Sequence, residues 1–163
     1  MGINELKRLC IISYARLGIA GLSPIMPGSC GSLIAAILAP WLFIPFSTFT
    51  RILILIFIFW TGSLVGTIIE QLLQKKDPKE VVIDELLGLW IVLLPFKNPG
   101  WIFIGLAFIL FRIFDIIKIW PVNASENWLP GGYGIMIDDV FAGLQALLII
   151  SILYWTGYLN QWL

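Results

Sequence analysis

Apolar runs separated by short polar segments occupy most of the chain, and within the runs apolar and polar residues do not alternate with a period of two. In lipid every backbone polar group must be satisfied internally, so such runs predict helices rather than barrel strands. Five runs stand out: Leu33 to about Phe46, Ile52–Ile69, Val81–Phe96, Trp101–Ile117, and Ile135–Trp155 or beyond. Residues 3–19 set Lys7, Arg8 and Arg16 among Leu6, Leu9, Ile12 and Leu17, which predicts an amphipathic helix lying at an interface. Residues 20–32 (AGLSPIMPGSCGS), 70–80, 97–100 (KNPG) and 118–134 read as polar or turn segments from their glycine, proline, serine and charged residues. Val81–Phe96 and Leu33–Phe46 are shorter than the roughly 20 residues that cross a hydrocarbon core, so thinning of the bilayer or partial entry is expected. No internal repeat or low-complexity tract interrupts the pattern. The expected fold is all-α: a polytopic membrane bundle of about four to five short transmembrane helices plus the N-terminal interfacial helix, as one domain over residues 1–163.

Composition sharpens this picture. The chain is 60% hydrophobic, and its ten basic and ten acidic side chains balance. That suits an integral membrane protein and gives no footprint for nucleic acid. Histidine is absent, which removes imidazole as base, nucleophile or ligand and excludes phosphohistidine chemistry. The two cysteines, Cys10 and Cys30, form no metal-binding pattern. No cleavable signal peptide is expected, because charge flanks a short apolar patch within Met1–Arg16 and no small-residue cleavage site follows. Threading the runs back and forth brings residues 20–32, 70–84, 112–118 and 138–139 to one face, and Arg51 and Lys97 to the other. The first face carries most of the lysines and arginines, so the positive-inside rule makes it cytoplasmic.

The same face collects the acids. Asp84-Glu85 and Asp138-Asp139 form two pairs, with Asp115 on a third segment. Carboxylates near a bilayer are costly and generally serve an ion, a substrate or a proton, although acids at helix starts also gain from the helix dipole. Neighbours on a helix point ~100° apart, so one member of each pair is expected to ligate while the other orients a ligand, a lysine or water. Oxygen donors without histidine or cysteine favour Mg²⁺ or Mn²⁺ over zinc. Arg112, Asp115 and Lys118, spaced by three, lie along one side of a helix end, where two cations suit an anion as well as the dipole. Pro27-Gly28-Ser29-Cys30-Gly31-Ser32 leads into a helix and could cradle a phosphate with backbone amides, though Gly/Ser segments there are mostly caps. Cys10 and Arg16 fit the C-x5-R spacing of cysteine phosphatases, but the intervening IISYA lacks the glycines of a phosphate loop, and the reading is rejected. Residues 127–137, with Gly131, Gly132 and Gly134, make a turned approach to Asp138, and Trp120 and Trp128 suit the headgroup layer.

Four blocks carry a resemblance: GLSPIMPGSCGS (21–32), VVIDELLGLW (81–90), FRIFDIIKIWP (111–121) and GGYGIMIDDVFAG (131–143). In their order and separation the chain resembles the phosphatidylglycerophosphatase A family of bacterial lipid phosphatases over nearly its whole length. The resemblance implies Mg²⁺-dependent hydrolysis of phosphatidylglycerophosphate to phosphatidylglycerol and phosphate, by a multi-pass inner-membrane protein whose site faces the cytoplasm. It implies a phospholipid substrate and a bilayer, and no nucleic acid or protein partner. It carries the family's acidic, metal-holding positions to Asp84, Glu85, Asp115, Asp138 and Asp139, its basic positions to Arg112 and Lys118, and its loop hydroxyl to Ser29. Catalytic roles are expected of Asp84, Asp138, Asp139, Arg112 and Lys118, and phosphate binding of Gly28, Ser29, Gly31, Ser32, Arg112 and Lys118. Two positions depart from the family pattern: Ser29 stands where threonine is common, and Ile119 where proline usually follows the lysine. Two other classes remain in view. A Mg²⁺-dependent lipid-headgroup transferase also wants interfacial acids, but its D-G-x-x-A-R frame is missing. A cation transporter would carry acids near mid-membrane, whereas these gather at one face.

Overall fold

The computed structural model describes residues 5–125 and 128–157. Among them the regular elements are all helical: α1 Glu5–Ala15, α2 Pro27–Leu42, α3 Thr48–Leu73, α4 Ile83–Leu93, α5 Trp101–Ile117, α6 Val122–Ser125 and α7 Gly132–Trp155, with a 3₁₀ turn at Ala20–Leu22. The fold class is therefore all-α, and the apolar run 101–117 is α5 to the residue. Parts of three segments expected as polar or turn are helical: residues 27–32, residues 70–73 at the end of α3, and residues 122–125 and 132–134. α2 begins at Pro27 rather than Leu33, because proline at the first helical position has the right φ and lacks the N–H that a helix start leaves unpaired. α7 begins at Gly132 rather than Ile135, since the Gly132 N–H finds the Thr67 hydroxyl at 2.9 Å. Residues 3, 4, 126 and 127, which belong to the expected segments 3–19, 118–134 and 127–137, lie outside the described residues.

α4 is the centre of the bundle. Of its residues all but Asp84 are buried, and α2, α3, α5 and α7 pack around it. A helix that is apolar on every side must be sheathed by protein or lipid, and here protein does it. With 11 residues α4 extends only about 16 Å, against about 39 Å for the 26-residue α3. α4 thus stays inside the bundle while its neighbours form the outer wall. Among the described residues α3 and α7 are the two helices long and apolar enough to cross a membrane. Only 33% of the apolar window of α3 and 44% of that of α7 is buried, so much of their apolar surface faces outward. Leu53, Phe57, Trp60, Leu148 and Ile152 are on that surface.

The helices meet in two ends, as the alternating connectivity requires. At one end Arg51, 2% exposed, donates to Phe46 O (3.0 Å), Leu94 O (3.1 Å), Phe96 O (2.6 Å) and Ile44 O, and its guanidinium lies over the Phe43 ring. One cation in the first turns of α3 thereby satisfies the chain ends that follow α2 and α4, whose carbonyls have no helical donor left. Trp41 packs on Trp101 (5.9 Å between centroids), and Phe96 on Tyr154 (5.8 Å), closing that end. Arg51→Met should strip donors from several buried carbonyls at once. A loss on the order of 3 kcal/mol is expected, read as a lowered unfolding midpoint in detergent.

Candidate active site

The other end is organised by two glycines. Gly88 lies one turn beyond Asp84 in α4, and Gly143 one turn beyond Asp139 in α7. A Cβ on Gly143 would sit 2.5 Å from Gly88 O, and a Cβ on Gly88 would sit 2.9 Å from Asp139 O and 2.4 Å from the Phe111 ring. Backbones approach this closely only where side chains are missing, the usual device of helix crossings in membranes. The crossing sets Asp84-Glu85 beside Asp138-Asp139, and Phe111 brings in the neighbouring Arg112 of α5. A second contact of the same kind, Gly132 against Ser63 O and Gly66, fixes the start of α7 on α3.

The polar groups then pair. Arg112 Nη1 donates to Glu85 Oε1 (2.5 Å), Glu85 Oε2 (2.6 Å) and Asp115 Oδ2 (2.7 Å). Ser32 Oγ donates to Glu85 Oε2 at 2.6 Å. Lys118, in the left-handed residue that caps α5 (φ 49°), reaches Asp138 Oδ2 at 2.8 Å. The first acid of each pair accepts the N–H of the second: Glu85 N to Asp84 Oδ1, and Asp139 N to Asp138 Oδ1, both at 3.0 Å. Glu85 and Asp138 are thus the pair members held by cations. Asp84 and Asp139 are not so held. The charges bearing most strongly on Asp84 are those of Glu85, Asp138 and Asp77, all negative. Asp139 is 3% exposed, and its Oδ2 is buried without a donor among the described residues.

These groups surround an open cleft of about 620 Å³ lined by Gly28, Ser29, Asp77, Lys79, Asp84, Glu85, Arg112, Asp115, Lys118, Asp138 and Asp139, among others. A cavity of about 700 Å³ at the Arg51 end is larger, but no carboxylate lines it. The lining of the site cleft holds six carboxylates against three cations. No three of the acids among the described residues close into a preformed cage, because Arg112 and Lys118 stand between them. The surplus of negative charge, the all-oxygen donor set and the two carboxylates that no cation holds among the described residues, Asp84 and Asp139, together fit a hard divalent cation.

The four segments whose acids and bases were expected to share one face do share one cleft. Their expected partners differ in detail. Gly28 and Ser29 line it, whereas Gly31 packs on Val82 and Ser32 turns its hydroxyl to Glu85. Asp77 and Lys79 do not stand out in the sequence. Their only signal was a charged Asp-Pro-Lys just ahead of the acid-bearing short helix. Gly28 is the tightest position: a Cβ there would lie 2.1 Å from Glu85 Oε1 and 3.3 Å from Arg112 Nη1. Gly28→Ala should therefore push Glu85 off Arg112. A loss of roughly a hundredfold in turnover with the fold retained is expected, to be read from steady-state rates and thermal unfolding of one preparation.

The sequence profile described as phosphatidylglycerophosphatase A matches residues 13–154. A protein of Bacteroides thetaiotaomicron named putative phosphatidylinositol-3-phosphatase is 38% identical over 143 residues, covering 83% of this chain and 88% of its own length. Phosphatidylglycerophosphatase A of Escherichia coli is 35% identical over 145 residues, covering 85% and 78%. The Haemophilus influenzae protein of the same name is 31% identical over 157 residues, covering 93% and 96%. No solved structure matches the chain.

Proposed function

Because the chain belongs to the phosphatidylglycerophosphatase A family of lipid phosphatases, we propose that it hydrolyses the terminal phosphomonoester of phosphatidylglycerophosphate, releasing phosphatidylglycerol and inorganic phosphate. The observation that carries this reading is the convergence of six carboxylates and three cations from separate segments on one open cleft at the end of an apolar bundle. Family membership removes the headgroup-transferase and transporter readings. We also propose that the bundle spans the inner membrane several times with this cleft at the cytoplasmic face, since the outward apolar surface of α3 and α7 needs lipid.

The cofactor is proposed to be Mg²⁺, which Asp84, Asp138 and Asp139, with Glu85 and Asp115 adjoining, would hold. When bound it supplies charge neutralisation for a phosphoryl group and a lowered pKa for water. The chain's own groups account for the rest. Arg112 and Lys118 face the equatorial phosphate oxygens. All three bonds of Arg112 to acids use Nη1, which leaves Nη2 to donate. Glu85 and Asp115 hold that guanidinium in place. Gly28 and Ser29, in the first turn of α2, present its positive end to the phosphate. Water oxygen attacks phosphorus as the ester P–O bond breaks. Its proton passes to a carboxylate oxygen, for which Asp139 Oδ2 has an open acceptor, and the departing alkoxide takes a proton from solvent.

A second substrate has one specific observation behind it: the Bacteroides relative is named for a phosphoinositide phosphomonoester. Phosphate release from detergent-solubilised protein should be measured on phosphatidylglycerophosphate, phosphatidylinositol 3-phosphate and phosphatidic acid. Phosphatidylglycerophosphate is expected to give the highest kcat/KM. Chelation should abolish release, and added Mg²⁺ should restore it. Preference for the phosphoinositide would transfer the assignment to it, and undiminished release in chelator would remove the metal.

A further inference from the structure

A second cavity of about 340 Å³ adjoins the site cleft and shares Pro27 and Lys79 with it. Its polar lining includes Arg16, Ser23, Lys79 and Glu80. Arg112 and Lys118 are each bonded to carboxylates, but Arg16 and Lys79 make no side-chain hydrogen bond or ion pair with any described residue. Arg16 Nε is buried with no partner among the described residues, on a side chain that is itself half-buried at the cavity wall. An N–H held out of water without an acceptor is costly, so its position suits an anion. Glu80 lies in the same cavity with Oε2 buried and unpartnered among the described residues. It leaves the two cations in excess and can accept from a hydroxyl.

The backbone holds Arg16 there. Gly21 N donates to Arg16 O at 2.9 Å, and a Cβ on Gly21 would lie 2.7 Å from Arg16 Cγ and 2.5 Å from Glu80 O. Val82 N donates to Ala15 O at 2.9 Å, which ties this corner to the chain just ahead of Asp84. Leu22 and Ile25, 58% and 85% exposed, form an apolar rim on the cavity.

We propose that Arg16 and Lys79 form a second anion subsite that takes the phosphodiester of the same lipid whose phosphomonoester lies among Asp84, Arg112 and Asp139. The proposal rests on the phosphatase reading and deepens it by naming the groups that hold the second phosphate. The apolar rim lies where such a lipid's acyl chains must leave, next to its phosphodiester. The polyol spans the shared wall at Pro27 and Lys79, with Glu80 available to its hydroxyl. Phosphatidic acid, with a single phosphate directly on the diacylglycerol, cannot fill both cavities.

The test compares wild type, Arg16→Gln and Lys79→Gln in two assays on detergent-solubilised protein. In the first, the ratio of kcat/KM for phosphatidylglycerophosphate to that for phosphatidic acid should fall roughly tenfold or more in each variant, mainly through KM. A ratio within about twofold of wild type in both variants overturns the proposal. In the second, dihexanoyl phosphatidylglycerol, which has the phosphodiester and no monoester, is titrated by calorimetry against dihexanoylglycerol, which has no phosphate. Wild type should prefer the former, and both variants should lose the preference. No preference in wild type overturns the subsite even where phosphatase activity is intact. Preference lost with the kinetic ratio unmoved means that a neighbouring lipid occupies the cavity, which overturns the substrate assignment. A wild type that binds phosphatidylglycerol yet releases no phosphate from either lipid supports the subsite and overturns the phosphatase reading.

Discussion

Asp139→Asn is expected to lower phosphate release by roughly a hundredfold or more, while the unfolding midpoint of the same preparation stays level or rises. The two effects have one cause. Asp139 is buried, one of its oxygens lacks a donor among the described residues, and Asp115, Asp84, Glu85 and Asp138 all press negative charge on it. An uncompensated buried charge costs the folded state, so removing it with a group of the same shape relieves strain that only function requires. Asn retains the size and cannot serve as an anionic ligand or proton acceptor. Glu85→Gln makes the contrast. Glu85 is bonded to Arg112 and Ser32, so that change should cost stability as well as activity. If Asp139→Asn melted early and kept a tenth or more of the wild-type rate, Asp139 would be structural, and the mechanism above would lose its acceptor.

Gly143→Val is expected to be as damaging by a different route. A Cβ at 143 meets Gly88 O at 2.5 Å, and the obstacle is backbone, which cannot swing aside as a side chain can. α7 must then move off α4, and Asp138-Asp139 with it, away from Asp84-Glu85. Active-site groups misplaced by about 1 Å can lose roughly a hundredfold in rate, so activity should collapse before the helices unfold. Gly105→Ala in α5 is the control: nothing lies within 4 Å of its Cβ, and alanine favours the helix. Equal activity in both variants would show that the α4–α7 crossing does not set the site. Phosphate release and detergent-state thermal unfolding, taken together, separate lost geometry from lost fold.

Much of the site was legible because charge in an apolar chain is costly and so conspicuous. Asp84, Glu85, Arg112, Asp115, Lys118, Asp138 and Asp139 stood out against their apolar surroundings, and alternating connectivity put them at one end. Asp77 and Lys79 were not distinguished, because in a polar connector charge costs nothing and carries no signal. That the Ser32 hydroxyl orients Glu85 has no signal in the sequence. Its place inside α2 followed from Pro27 starting the helix early, and its direction depended on where α4 docked. Arg51 looked like a flanking charge, yet it lies buried among carbonyls of segments far from it in sequence.

The order of residues by itself determined that the chain is helical, apolar on its outer surface and acidic at one end, because periodicity and the cost of charge in lipid are properties of local sequence. Only the tertiary structure decided which acid is bonded to which cation, which carboxylate oxygen is left without a donor, and where a second pair of cations opens beside the first. Those depend on how closely helices remote in sequence approach, and at Gly88 and Gly143 that approach is governed by a few tenths of an ångström of backbone contact that no single segment encodes.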